Sequence, residues 1–238
     1  LGLTSLRDIV SEVQKITSNV DLPLIVDADT GWGSDLNVGY TVAEMIRSGA
    51  AAIHIEDQSW PKRCGHRDGK KLIAADEMVA KIKSGVDAKN DIDPDFMLIA
   101  RTDAISVESF EDAIKRAKAY VAAGADAIFA EAVTELDQYK KFSDAIGKTP
   151  LLANITEFGK TPLFTVDELK SAGVDIALYP LSAFRAMNKA AELVYKTLLT
   201  DGDQKAVIDT MQTRMDLYDY LGYHEFEQKL DVLFKEEA

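Results

Sequence analysis

The chain has 238 residues, 47% hydrophobic and 28% charged with 14 Gly and 6 Pro, a composition that excludes a disordered, collagenous or low-complexity protein and calls for a large core. Twenty-seven lysines and arginines against 40 acids leave a formal charge of −13, which argues against nucleic acid or an anionic membrane as partner, so an anionic small molecule would need a local cationic pocket. The longest stretch without a charged residue, 176–184, is about half of a membrane-spanning helix, and one cysteine forms no intrachain disulfide, so a reducing cytoplasm is expected.

In chain order, apolar runs at 22–26, 51–55, 97–100, 127–130, 151–153 and 175–178 read as strands. Amphipathic stretches at 37–48, 75–89, 107–123, 137–146 and 165–172 read as the helices between them, several closed by glycine: Gly49, Gly124, Gly147 and Gly173. Strict alternation predicts an α/β fold with a parallel sheet wrapped by helices, and near-continuous apolar strands predict that both sheet faces are covered. Gly31-Trp32-Gly33 is too short for a dinucleotide or phosphate fingerprint. Strand starts are separated by 29, 46, 30, 24 and 24 residues, so one unit carries a surplus, which falls at 57–72. Long loops inside compact α/β domains are often functional lids. A helical segment at 183–200 follows the sixth strand, and two more, about 205–221 and 224–235, come after it with no strand of their own to cover; no linker divides the chain.

Polar residues recur where strands end: Asp27 and Asp29, Glu56 and Asp57, Arg101 and Asp103, Glu131, then Asn154, Thr156 and Glu157. Taken singly, an acid in such a place reads equally as a helix N-cap or a solvated loop end. Five strands in succession point instead to the mouth of a parallel barrel, where active sites are built. Asp27 and Asp29, at spacing i, i+2, point the same way from an extended chain, and with Glu56 and Asp57 nearby four acids repel unless a cation sits among them. Hard oxygen donors favour Mg2+, or Mn2+ as a substitute, over zinc; a solvated acidic rim is the alternative. The loop from Pro61 to Lys71 holds five of the 27 lysines and arginines, the only cysteine and one of three histidines. Cations beside a thiol lower its pKa, so Cys64 reads as an acid or nucleophile, or else as a bystander thiol in a basic loop. Cys64 and His66 lack the second pair that a metal site needs. His54, between Ile53 and Ile55, reads as a packed strand residue and His224 as a surface one.

Lys62-Arg63-Cys64-Gly65-His66, preceded by Val26-Asp27-Ala28-Asp29-Thr30-Gly31-Trp32-Gly33 and His54-Ile55-Glu56-Asp57-Gln58, resembles the isocitrate lyase/phosphoenolpyruvate mutase superfamily. Ala100-Arg101-Thr102-Asp103, Ala153-Asn154-Ile155-Thr156-Glu157-Phe158-Gly159, Tyr179-Pro180-Leu181-Ser182 and Ile208-Asp209-Thr210-Met211 resemble its methylisocitrate-cleaving branch, and the match spans essentially the whole chain. The resemblance implies a TIM-type (β/α)8 barrel with a swapped C-terminal helix, of which this chain supplies six strands. It further implies a single catalytic domain over 1–238, with 203–238 packing on a neighbouring subunit of a homo-oligomer, a tetramer being favoured. The activity implied is Mg2+-dependent cleavage of the tricarboxylate 2-methylisocitrate to pyruvate and succinate in propionate breakdown. By position, Asp27 and Asp29 would hold the metal largely through water, with Glu56 in support. Cys64 would protonate the succinate carbanion. Lys62 and His66 would join it in catalysis, Arg101, Glu131, Asn154 and Gly65 would bind the substrate, and Phe129 and Leu178 would enclose its methyl group, although both also read as core residues. An isocitrate lyase, an oxaloacetate-type hydrolase or an inactive metal-binding fragment are the other readings. Ala130 departs from the proline common in this branch. The family has two strands before the first one seen here, so roughly 50 to 60 further residues are expected upstream, and the chain alone is expected to fold poorly and be inactive. The base that takes the hydroxyl proton is therefore unassigned.

Overall fold

In the computed structural model, which describes residues 2–235, the chain divides into the units Leu1–Pro180 and Leu181–Ala238. Of the expected domain 1–238 and tail segment 203–238, residue 1 and residues 236–238 lie outside the described residues. The first unit runs α1 (Leu6–Thr17), β1 (Ile25–Asp27), α2 (Asp35–Arg47), β2 (Ala52–Glu56), α3 (Ala75–Ile92) and β3 (Met97–Thr102). It continues with α4 (Phe110–Ala122), β4 (Ala127–Ala130), α5 (Leu136–Ile146), β5 (Leu151–Asn154), α6 (Val166–Ser171) and β6 (Ile176–Leu178). All six expected strands are present. The second unit holds α7 (Ser182–Asp201), α8 (Arg214–Leu221) and α9 (Tyr223–Lys235). No helix among the described residues is long and apolar enough to cross a membrane.

Most element boundaries fall within a few residues of the sequence reading, and three of the differences have a plain local reason. The first strand begins at Ile25 rather than at residue 22, because Pro23 has no amide hydrogen and the ladder starts with Ile25 opposite Ala52. The fourth helix begins at Phe110, not 107: Ser109 caps it by accepting the Asp112 N–H at 3.0 Å, and a 3-10 turn over Ala104–Ser106 precedes it. The segment 205–221 is not one helix but a 3-10 turn, Lys205–Thr210, followed by α8, whose start is fixed by the reciprocal capping of Thr213 and Asp216.

The strands lie in the order β1-β2-β3-β4-β5-β6, each parallel to its neighbours. The order never reverses, so right-handed crossovers carry the connecting helices to one face of the sheet, as in a TIM-type barrel and unlike a doubly wound sheet. The two faces are accordingly covered in different ways. On the outer face Val26, Ile53, Ile55, Leu98, Ala100, Ile128, Leu151 and Ala153 share one core with Val42 and Met45 of α2, Met78 and Ile82 of α3, Tyr120 of α4, and Tyr139 and Phe142 of α5. On the inner face Ala52, Ile99, Ala127, Phe129 and Leu152 form a second, smaller cluster against which Met97, Ile176 and Leu178 pack. The period of two then aims the polar ends of the inner-facing rows at one mouth. Asp27 lies opposite His54, Glu56 opposite Arg101, Arg101 opposite Phe129, and Asn154 opposite Leu178.

Candidate active site

The turn after β1 is held in sparsely populated backbone. Asp29 and Trp32 have φ of 48° and 54°, in the left-handed region, and Gly31, at φ 87°, has no room for a Cβ against Val38. Such conformations persist only where the surroundings over-determine them. Here Asp27 Oδ1 accepts the Asp29 N–H at 2.9 Å, the Glu56 N–H donates to Asp29 O at 2.8 Å, and the buried Lys81 Nζ donates to Thr30 O at 3.1 Å. The result is that Asp27, with 54% of its side chain open, and Asp29 stand beside the fully buried Glu56.

Cations divide these acids between them. Lys62 Nζ lies 2.6 Å from Asp29 Oδ1 and 3.3 Å from Glu56 Oε1, and Arg101 Nε lies 3.3 Å from Glu56 Oε2. Neither Glu56 oxygen has a hydrogen-bond partner, and burial pushes its pKa up to about 7, against the pull of Arg101 and Lys62. Burial also pushes Lys62 downward, but Glu56, Asp29 and Asp27 outweigh it and hold the ammonium charged. For Asp27 burial acts upward and is overcome by His54, the Asp29 N–H, Lys62 and Arg101. Burial keeps His54 below its ordinary value and so neutral, leaving the amide and the two cations as the durable causes. Asp57 does not join the group, contrary to the four-acid expectation. It shares the outer-face parity of Ile53 and Ile55, and accepts hydrogen bonds from Thr102 Oγ1 at 2.8 Å, the Asp103 N–H at 2.9 Å and the Tyr120 hydroxyl at 2.7 Å.

The cysteine loop is tied at its base and at its tip. At the base the Gln58 amide pairs with Arg63 N and O, both at 2.9 Å, Gln58 bridges Leu72, and the Ser59 N–H donates to Lys71 O at 2.8 Å. At the tip His66 Nδ1 accepts the Lys160 N–H at 2.9 Å, so a neutral ring carries its proton on Nε2, which lies 2.9 Å from Glu131 Oε1. Arg101 Nη2 lies 3.3 Å from Glu131 Oε2, and Asn154 Nδ2 donates to that oxygen at 3.4 Å. Burial pushes Glu131 upward, but Arg101 and His66 hold it below the ordinary carboxylate value. Cys64 is exposed and shares with Pro61, Lys62, Arg63 and Arg67 a cavity of about 540 Å³.

The structure thus brings Asp27, Asp29, Glu56, Lys62, Gly65, His66, Arg101, Glu131 and Asn154 to one mouth, with Cys64 on the loop above it. Phe129 lies beneath Arg101, whose Cζ is 4.9 Å from the ring centroid, and edge-on to His54 at 5.2 Å; Leu178 packs on the same inner cluster. Sequence reasoning left out Lys70 and Lys81, which are buried in the supports of the two loops. A lysine excess in the loop was the visible signal for the first; nothing in the local pattern marked the second. Several buried polar atoms around the mouth have no hydrogen-bond partner: His54 Nδ1, both Glu56 oxygens, Asn154 Oδ1 and Thr156 Oγ1. Native structures rarely leave such atoms unpaired except where a ligand, ion or water meets them. Among the described residues no three His, Cys, Asp or Glu side chains converge to cage a metal ion. An open Asp27 and an unbonded Glu56 nevertheless offer the hard oxygens that a Mg2+ ion shares with water and substrate.

Fold and site together define an α/β-barrel enzyme with an acid cluster faced by a cationic cysteine loop. The phosphoenolpyruvate phosphomutase family profile matches residues 2–199. A protein of Escherichia coli (strain K12) named 2-methylisocitrate lyase is 57% identical over 235 residues, 98% of this chain and 78% of that protein. Among solved structures, oxaloacetate acetylhydrolase in complex with 3,3-difluorooxalacetate superposes with a TM-score of 0.90 at 33% identity, covering 98% of this chain and 78% of that one. Phosphonopyruvate hydrolase in complex with oxalate and Mg++ does so with a TM-score of 0.82 at 29% identity, over 95% and 78%. The chain belongs to the phosphoenolpyruvate phosphomutase family, within the isocitrate lyase superfamily.

Proposed function

We propose that the chain cleaves 2-methylisocitrate to pyruvate and succinate, in the breakdown of propionate. The carrying observation is the opposition of Asp27, Asp29 and Glu56 to a loop that brings a thiol, lysines and arginines over them. The similarity to a lyase of that name supports it. Asp27 and Asp29, with Glu56 behind them, would hold Mg2+, or Mn2+ in its place, which when bound supplies Lewis-acid stabilisation of the charge developing on the pyruvyl oxygens. Lys62 and Arg101 balance the carboxylates of enzyme and substrate. Asn154 and the His66–Glu131 pair orient the succinyl end; as a base takes the substrate's hydroxyl proton the C–C bond breaks, its electron pair passes to the succinyl carbon, and Cys64 delivers a proton to that carbanion. The loop, closed over the mouth, excludes water that would protonate that carbon from any side. A free thiol of this kind suits a reducing cytoplasm.

The test is pyruvate release from 2-methylisocitrate, glyoxylate release from isocitrate and oxalate release from oxaloacetate by the native protein, side by side, with and without EDTA. Activity that needs the divalent ion, with 2-methylisocitrate ahead of isocitrate by roughly 10- to 200-fold, is expected if Phe129 and Leu178 enclose the methyl group. Equal rates on isocitrate would move the specificity to that substrate, and cleavage of oxaloacetate alone would make the protein a hydrolase.

The second unit supports self-association with a second copy of the chain. In α9 the exposed Phe226, Leu230, Leu233 and Phe234 recur at helical spacing and form an apolar stripe that water disfavours. We infer that residues 203–238 pack on a neighbouring subunit, in a tetramer. Light scattering is expected to show no monomer at micromolar concentration; a monodisperse monomer would overturn the assembly.

A further inference from the structure

Five cations lie within residues 62–71, and only one of them is spent wholly on the protein away from the mouth's acid cluster. Lys62 serves Asp29 and Glu56, while Arg63, Arg67 and Lys71 are exposed. The Lys70 side chain is 2% exposed, and its Nζ donates to Gly65 O and, at 2.8 Å, to Asp103 Oδ1. Asp103 is itself fixed from three sides: its N–H donates to Asp57 Oδ1 at 2.9 Å, and its carboxylate accepts Arg101 Nε at 3.0 Å and Nη2 at 3.3 Å. Burial acts against that carboxylate, but Arg101 and Lys70 hold it ionised. Gly65 meanwhile lies flat against the site, where a Cβ would run into the Arg101 guanidinium and the Glu131 side chain.

The geometry has one economical reading. A lysine five residues along the loop reaches back across it and holds the carbonyl that lies between Cys64 and His66. Removing one partner of a buried ammonium–carboxylate pair leaves the other unpaired in the closed loop and so favours opening, where the stranded ion recovers its hydration. The base of the loop is tied independently, through Gln58 with Arg63 and through Arg116 Nη1, which donates to Ile73 O at 3.1 Å. Loss of the Lys70 contact therefore leaves the hinges in place and the tip held only through His66, by the Lys160 N–H and Glu131, and through Asp68 by Lys160 Nζ.

We infer that Lys70 is a positioning residue that latches the cysteine loop closed, fixing the Gly65 carbonyl on Asp103 and thereby the places of the Cys64 thiol and the His66 ring. The latch itself needs no assumption about the substrate; its effect on turnover rests on Cys64 as proton donor.

The test is Lys70→Met in the full chain, read in three ways. Trypsin is expected to cut after Arg67, in the tip, at least about tenfold faster than in wild type, since proteolysis follows the open population. Iodoacetamide, whose target is the single and already exposed cysteine, is expected to react at a changed rate, because the thiol no longer holds its place in the cavity it shares with Lys62, Arg63 and Arg67. Turnover is expected to fall about 100-fold in kcat with KM within about threefold, because the donor is misplaced while the carboxylate-binding groups remain. Adding Asp103→Asn should change the nicking rate little further, since Asp103 meets the loop through Lys70 and its other side-chain partner, Arg101, lies on β3. Unchanged nicking and alkylation in Lys70→Met, or full additivity with Asp103→Asn, would overturn the latch. If the variant does not fold, hydrogen exchange of the wild type decides: the Arg67 amide, in the tip, is hydrogen-bonded to Cys64 O in the closed loop, and exchange at an unprotected rate would overturn it. Nicking and alkylation read the loop even where 2-methylisocitrate is not turned over. A failed latch in a protein that does turn it over leaves the proposed activity standing.

Discussion

Cys64→Ser is expected to lower kcat on 2-methylisocitrate by about 10²- to 10⁴-fold, the range that a positioned general acid supplies, with succinate and pyruvate still bound within a few fold of wild type. A serine hydroxyl is a far weaker acid than a thiol, and the replacement keeps the size and exposure of the side chain, so the change isolates proton delivery. The surroundings suit a proton donor, since Lys62, Arg63 and Arg67 line the same cavity and the Cys64 carbonyl accepts the Arg67 N–H at 3.0 Å in a tight turn that fixes the thiol's backbone. The groups proposed to hold the substrate's carboxylates, Arg101, Asn154 and the His66–Glu131 pair, contact one another without Cys64, and the serine leaves those contacts untouched. Steady-state kinetics with calorimetric titration of the two products separates the effects. Turnover within about tenfold of wild type would remove Cys64 from the role of donor.

How far the site was legible depended on whether its residues answered to a local pattern. Six strands could be read because their apolar runs are short, evenly spaced and separated by helical periods, and the surplus at 57–72 marked the loop by arithmetic alone. The parity of β2 was equally open to reading: Ile53, Ile55 and Asp57 fall on one face and His54 and Glu56 on the other, so alternation alone separates the two adjacent acids. Treating Glu56 and Asp57 as a pair passed over that signal. Contacts made across the sequence left no such trace. Lys70 meets Asp103 over 33 residues, and Lys81 meets Thr30 over 51, and nothing in either neighbourhood names the partner. Lys62 is an intermediate case. The need for a cation among the acids was plain from their number, but only the closed loop shows an ammonium standing 2.6 Å from Asp29.

Arg101→Met is expected to have the largest effect on stability, a loss of roughly 3–5 kcal/mol, because it strands buried carboxylates that the guanidinium now serves. Arg101 lies 3.3 Å from Glu56, 3.0 Å from Asp103 and 3.3 Å from Glu131, and the side chains of all three are fully buried. Burial opposes its charge, but Glu131, Asp103 and Glu56 together hold its pKa well above the ordinary arginine value. Each acid has a second cationic or imidazole partner: Lys62 for Glu56, Lys70 for Asp103, His66 for Glu131. All three of those partners come from the cysteine loop, so without Arg101 the acids depend on a segment that must also open. The face of Phe129, 4.9 Å from the guanidinium carbon, would lose its cation as well. At the usual 2–4 °C per kcal/mol for a chain of this size, the melting midpoint should drop by about 6–20 °C, with turnover near background. Arg101→Lys should recover only part of the loss, since one ammonium cannot bridge three carboxylates as a planar fork does. Thermal and urea unfolding of the three proteins measures the order wild type, lysine, methionine; a methionine variant as stable as wild type would show that the loop cations alone balance the acids.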